Sequence, residues 1–135
     1  MPEIKISTSK KQEIIDITDA VQSIVTKSKV KEGICHVYVK HATAAIIINE
    51  NWDPNICLDL IDCLNAQIAE GVWRHDNVDG NGASHLKAAI LGPQEVIPIS
   101  NGKLDLGRWQ SIMLTDFDGP RDERVIKVTI LSSKE

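Results

Sequence analysis

His41, His75 and His85 lie in polar, glycine-rich or turn-forming sequence, away from the apolar stripes that mark a core. Imidazole titrates near neutral pH and ligates transition metals through a neutral nitrogen, so histidines gathered in loops suit a metal or proton-transfer site. Catalytic zinc takes three protein ligands and leaves a position for water or substrate, a count these residues meet. No HExxH or other fixed-spacing zinc motif is present. Taken singly, His41 reads as a strand end, His75 as a solvated loop residue and His85 as a helix-start residue; taken together they favour one shared site. Glu50 follows the apolar run Ala44–Asn49 and precedes a helix start. A general base can be held rigidly there, although a solvated strand-end carboxylate explains it equally well.

Asp76, Asp79 and Asn81 surround His75 in sequence and could orient it, but turn and capping roles are favoured for them. An EF-hand register that places Gly80 at the sixth loop position puts His75 first and Leu86 twelfth, which excludes that calcium motif. Arg74, Lys87, Arg108 and Arg121 are the basic residues nearest the polar segments and suit an anionic substrate such as a phosphate ester. Trp52, Trp73 and Trp109 flank the same segments, where packing is the favoured role. No nucleophile stands out: a GxSxG elbow is lacking, and Cys35, Cys57 and Cys63 sit in apolar patterns without CxxC spacing, as buried small hydrophobes.

These residues need a frame. A chain of 135 residues with 42% hydrophobic and only 4% aromatic content forms one domain around an aliphatic core. The net charge of −4 and dispersed lysines and arginines argue against a nucleic-acid partner. No segment is apolar for long enough to span a membrane or act as a signal peptide, so a cytoplasmic protein is expected. Strands are read over 3–7 and 12–17, joined as a hairpin, then a helix capped by Thr18 that runs toward Lys29. Ile34 to Lys40 alternates as a strand that sends His36 and His41 to opposite faces, which sets His36 aside. The run AAIIIN at 44–49 is a strand covered on both faces. Asp53-Pro54 starts a helix that reaches Gly71, with Ile56, Leu60, Ile61, Leu64 and Ile68 buried. Residues 74–84 read as a loop, Ser84 as the cap of a helix through Leu91, Asn101-Gly102 as a hairpin turn, and 109–114 and 124–131 as the last strands. The sum is an α+β single-domain sandwich of largely antiparallel sheet with about three helices.

Three segments, HATAAIIINENWDP from His41, RHDNVDGNGASHLKAAILGP from Arg74 and LGRWQSIMLTDFDGPR from Leu106, closely resemble the YjbQ-like family, some of whose members are described as secondary thiamine-phosphate synthases. The likeness spans nearly the whole chain, in the same order and spacing. It implies a sandwich that assembles as a homotrimer with a polar cleft able to hold a divalent metal, zinc by its histidine chemistry. Carried over position by position, it marks His41, Thr43, Asn49, Glu50, His75, Asp79, Asn81, His85 and Lys87, then Gly107, Trp109, Gln110, Asp118, Gly119 and Arg121. Ala42 stands where a second threonine is common, and Ser84 where alanine is. The expected protein is a metal-binding enzyme acting on a small phosphorylated or heterocyclic substrate. His41, His75 and His85 would be ligands and catalytic residues, Glu50 the acid or base, and Thr43, Asn49, Asn81, Lys87 and Arg121 the substrate contacts. Thiamine-phosphate synthesis, a transferase reaction, is its most concrete form. A non-enzymatic trimer that binds a small anion or metal is the alternative.

Overall fold

The structure, a computed structural model, describes residues 2–134. Eight strands and three α-helices appear in the order β1 (Glu3–Thr8), β2 (Glu13–Asp16), α1 (Thr18–Ser28), β3 (Gly33–Val39), β4 (Ala44–Asn49), α2 (Pro54–Gln67), α3 (Gly82–Leu91), β5 (Gln94–Ser100), β6 (Lys103–Leu104), β7 (Ser111–Asp116) and β8 (Arg121–Ser132), with a 3₁₀ turn at Arg74–Asn77 before α3. Strands β1-β8-β3-β5-β6 form one antiparallel sheet and β2-β7-β4 a second. This is the expected α+β sandwich. Alternation packs Cys35, Val37 and Val39 of β3 against Ile112 and Leu114 of β7 and Ile126 and Val128 of β8, in a core of aliphatic side chains.

The run Ala44–Asn49 behaves as its lack of alternation predicts. Ala44 and Ile46 face that main core, while Ala45 faces a smaller cluster with Leu64, Ile68, Ala83, Ala88 and Phe117 beneath α2 and α3. Asp53 caps α2 by accepting the Asn55 N–H at 2.9 Å, with Pro54 in the first turn. Asn101 and Gly102 take positive φ of 52° and 76° between β5 and β6, as a tight hairpin requires.

Several expectations fail for identifiable reasons. β1 and β2 do not form a hairpin: β1 pairs with β8 and β2 with β7, in different sheets. The four polar residues between them carry the chain from one layer to the other, which local pattern does not distinguish from a turn. Thr18 lies inside α1, where its hydroxyl bonds Asp16 instead of capping. α2 stops at Gln67, and its stripe is half-buried except at Leu64, with Ile68, just past the helix end, buried as well. Ser84 does not cap α3, which begins two residues earlier; it is buried and donates to the Phe117 carbonyl at 2.7 Å. The segment 74–84 is therefore not all loop. Cys63 is exposed, as are Trp52 and Trp109, which meet edge to face at 5.8 Å on the surface.

Candidate functional site

The chain folds so that the end of β3, the start of β4, the entry to α3 and the start of β8 converge. His41 follows β3 where the β3/β8 ladder ends. Lys40 donates its N–H to the Val125 carbonyl at 3.1 Å, and the Val125 N–H donates to Nε2 of His41 at 2.8 Å, so the imidazole stands in for the missing strand partner. Since Nε2 accepts, the proton of the neutral ring sits on Nδ1. Burial, followed by the charge of Arg124, pushes this imidazole's pKa down from its usual value, in the direction of the neutral ring.

His75 and His85 come together because the 3₁₀ turn packs on α3. Asp76 fastens the two elements, its carboxylate accepting from the Trp73 N–H at 2.9 Å and the Gly82 N–H at 2.7 Å. A Cβ on Gly82 would fall 2.8 Å from Trp73 Cβ and 2.9 Å from Asp76 Oδ1, so only glycine allows this approach. The His75 and His85 rings then lie 4.6 Å apart, nearly perpendicular at 79°. Asp79 sits 3.6 Å from Nε2 of His75.

His85 faces two adjoining hollows. One, of about 390 Å³, is lined by His41, Thr43, Asn81, His85, Arg121 and Arg124, with the carboxylates of Asp118 and Glu123 also in its wall. The other holds His75 beside Trp73 and Arg74. Behind the first hollow lies a buried polar network. Arg124, 3% exposed, pairs through Nη2 with Asp116, 0% exposed, and with Thr43 Oγ1 at 2.9 Å. Thr8 donates to the other Asp116 oxygen at 2.6 Å. Asp118 accepts from Asn81, Lys11 and Arg121 at 2.8 to 2.9 Å. The arginine charges are thus matched by carboxylates, and the hollow offers directional donors and acceptors more than net charge. Two atoms are left over among the described residues: Nε of Arg124 and Oδ1 of Asn81 are buried without a hydrogen-bond partner.

The remaining expected residues lie elsewhere. Thr43 and Asn49 flank opposite ends of β4, roughly 20 Å apart at the usual rise per residue. Asn49 and Glu50 line a separate cavity, where Asn49 Oδ1 accepts the Glu50 N–H and Glu50 Oε2 accepts the Asp53 N–H at 3.2 Å, shaping the turn into α2. Within one chain, Glu50 is not beside the histidines. Lys87 is 1% exposed and turned inward, its ammonium 2.6 Å from Asn65 Oδ1 and 5.9 Å above the Phe117 ring. Burial pushes its pKa down. Sequence reading missed Arg124 and Asp116. The signal was present, because Arg124 shares the inward phase of its strand with Ile126 and Val128.

The fit to a metal is partial. Among the described residues no three His, Cys, Asp or Glu side chains are grouped to hold an ion. His75 and His85 are adjacent, but the Nε2 lone pair of His41 is committed to the backbone.

The family described as UPF0047 protein YjbQ-like matches residues 2–133. The chain belongs to this family. A UPF0047 protein of Methanocaldococcus jannaschii is 42% identical over 130 residues, covering 96% of this chain and 93% of that one. The Bacillus subtilis UPF0047 protein YugU is 36% identical over 121 residues, covering 87% and 89%. A solved structure of a YbjQ-like protein of unknown function from Sulfolobus solfataricus superposes with a TM-score of 0.95 at 41% identity, covering 98% of this chain and 96% of that one. An uncharacterized YjbQ/UPF0047 protein from Clostridium acetobutylicum gives 0.92 at 41%, covering 97% and 100%. No helix among the described residues is long and apolar enough to cross a membrane.

In this family member the carboxylates behind the hollow set an acid limit. Burial alone would raise Asp116 and Asp118, but donated hydrogen bonds outweigh it, led by Arg124 for the first and Asn81 for the second. Asp118 is held at about 2 against an ordinary 3.8. A carboxyl with a depressed folded pKa binds fewer protons folded than unfolded, so its stabilisation is complete above the unfolded value and is lost as pH falls through the folded one. The urea midpoint is expected to fall as pH drops from 3.8 toward about 2, with a shallower fall in Asp118→Asn. Identical slopes in the two proteins would contradict this account of Asp118.

Proposed function

We propose that this chain is a metal-binding enzyme that acts on a small phosphorylated or heterocyclic substrate held in the hollow of His41, Thr43, Asn81, His85, Arg121 and Arg124. The observation that carries the reading is the Arg124 Nε–H, a donor without a partner in a side chain only 3% exposed. A buried donor left unpaired costs about 1–3 kcal/mol, so a ligand whose binding brings an acceptor within reach of it would gain that interaction. A phosphate oxygen suits that donor and the Nδ1–H of His41, while an amino or hydroxyl group on the same ligand suits Asn81 Oδ1.

His75 and His85 are the side chains that would hold a divalent ion, zinc by their chemistry, and the bound ion would supply a Lewis acid. His41 keeps its place as a hydrogen-bond donor. Thiamine-phosphate synthesis is the most concrete reaction: the thiazole nitrogen attacks the methylene carbon of the pyrimidine pyrophosphate, the C–O bond breaks, and pyrophosphate leaves with the electron pair. Arg121 and Arg124 would hold a phosphate group of either reactant and steady the negative charge on the leaving group. Assembly as a homotrimer in the cytoplasm belongs to the same reading.

Purified wild type is expected to carry zinc that His75→Ala and His85→Ala both lose, while His36→Ala retains it. Mixing the two thiamine precursors with the wild type is expected to yield product, and with Arg121→Ala much less. Equal zinc in all four proteins would overturn the metal assignment, and absence of product would overturn the synthase. One observation favours a binding protein instead: Glu50, the carboxylate expected as acid or base, stands at the other end of β4. Tight phosphate binding with no turnover of either precursor would select that reading.

A further inference from the structure

The cavity at the far end of β4 has a chemistry of its own. It measures about 240 Å³ and opens between β4, β7 and α2. Its walls are apolar, from Ile47, Ile56, Leu60 and Met113, with the Cys57 thiol set 3.9 Å from the Met113 sulfur. The charged groups that line it, Glu50 and Asp59, are both carboxylates. Glu50 uses Oε2 for the Asp53 N–H, and Oε1 accepts no hydrogen bond; Asp59 has neither a hydrogen bond nor an ion pair among the described residues. No lysine, arginine or histidine lines the cavity. Burial and then the negative charge of Asp16 push the neighbouring Cys57 thiol up, so a third carboxylate adds to the field on this side.

We propose that this cavity binds a small organic cation, a protonated amine on an apolar or aromatic body, with the ammonium between Glu50 and Asp59 and the body against Ile56, Leu60 and Met113. The size limits the ligand. Pockets for drug-sized molecules run to about 300–1,000 Å³, so this one takes a fragment the size of benzylamine. The charge selects its sign. An anion would meet two like charges that nothing in the wall offsets, whereas an amine is attracted by both carboxylates beside a surface that favours its hydrocarbon part. A bare metal ion suits the site poorly, because its walls are hydrocarbon and no three ligating side chains are grouped there among the described residues. The cavity is separate from the histidine hollow, and binding here stands or falls without reference to phosphate or zinc.

Titration of the full-length protein with benzylamine, benzyl alcohol and benzoate, followed by methyl resonances of Ile47, Ile56 and Leu60, tests this. Benzylamine is expected to saturate these shifts with an affinity about tenfold or more above that of benzyl alcohol, as a charge-assisted hydrogen bond implies, with benzoate weakest. The Glu50→Gln and Asp59→Asn double variant should bind amine and alcohol alike, its methyl spectrum reporting that it is folded. Equal affinity of the wild type for amine and alcohol, preference for benzoate, or no saturable shift with benzylamine would each overturn the proposal. The comparison among the three probes needs only the wild type, so a misfolded variant leaves the test intact.

Discussion

Replacing Arg124 with Met is expected to lower the unfolding free energy by about 3–5 kcal/mol, the cost of leaving a buried carboxylate without its counter-ion. Asp116 is fully buried, and Arg124 Nη2 is its cationic partner. Thr8 and the Asp118 N–H also hydrogen-bond this carboxylate, but neither brings positive charge. The double variant Asp116→Asn, Arg124→Met removes both charges and is expected to recover most of the loss. Urea denaturation of the two single variants and the double completes a cycle. The coupling energy should be large and favourable, since the partners lie in contact inside one network. Near-additive losses would mean that the pair contributes little beyond packing. Arg124 also joins two strands and the β4 entry, from β8 to Asp116 of β7 and Thr43 before β4, so its removal loosens the wall of the hollow as well.

Substituting Arg121 with Ala is expected to weaken binding of inorganic phosphate by about tenfold or more, the usual worth of a hydrogen bond to a charged group. Arg121 is half exposed on the rim, and its guanidinium holds Asp118 through Nε and Nη2. Its loss removes a positive charge from the hollow and leaves Asp118 less compensated, and both effects oppose an anion. Folding should change little, because Arg121 itself is half exposed and Asp118 keeps its hydrogen bonds from Lys11 and Asn81. Arg124→Lys separates charge from geometry. The ammonium still faces Asp116, but the planar Nε–H is gone, so phosphate affinity should drop with a smaller loss of stability than in Arg124→Met. Isothermal titration measures both. Unchanged affinity in Arg121→Ala and Arg124→Lys would remove the anion from this hollow.

The fold was legible in sequence where one signal governs one element. Pro54 behind a capping aspartate, Asn101-Gly102 between strands and the unbroken run Ala44–Asn49 each report a local requirement, and the helix start, the turn and the strand each form where expected. Sheet membership was not legible at the start of the chain, because pairing of β1 with β8 joins residues more than a hundred positions apart and local pattern carries no trace of it. The site divides in the same way. His41, Thr43, Asn81 and Arg121 line one hollow, His75 lines its neighbour and His85 lines both, in place of the single three-histidine site expected. Asn49 and Glu50 share the motif of His41 in sequence, but an extended strand separates them in space. Lys87 looked like a surface cation beside His85, yet two residues along a helix turn the side chain well away, into the interior. Arg124 and Asp116 were overlooked because a charge inside an apolar strand reads as an exposed position, although Arg124 shares the inward phase of Ile126 and Val128.

The Arg124 Nε–H resonance tests the central claim most directly. It belongs to a buried donor with no partner among the described residues, and a phosphate oxygen entering the hollow would complete it. Titrating inorganic phosphate into the labelled protein should shift this resonance in a saturable way, together with the ring signals of His41 and the side-chain amide of Asn81. A signal that stays fixed while phosphate binds elsewhere, or a protein that shows no saturable response, would contradict the account.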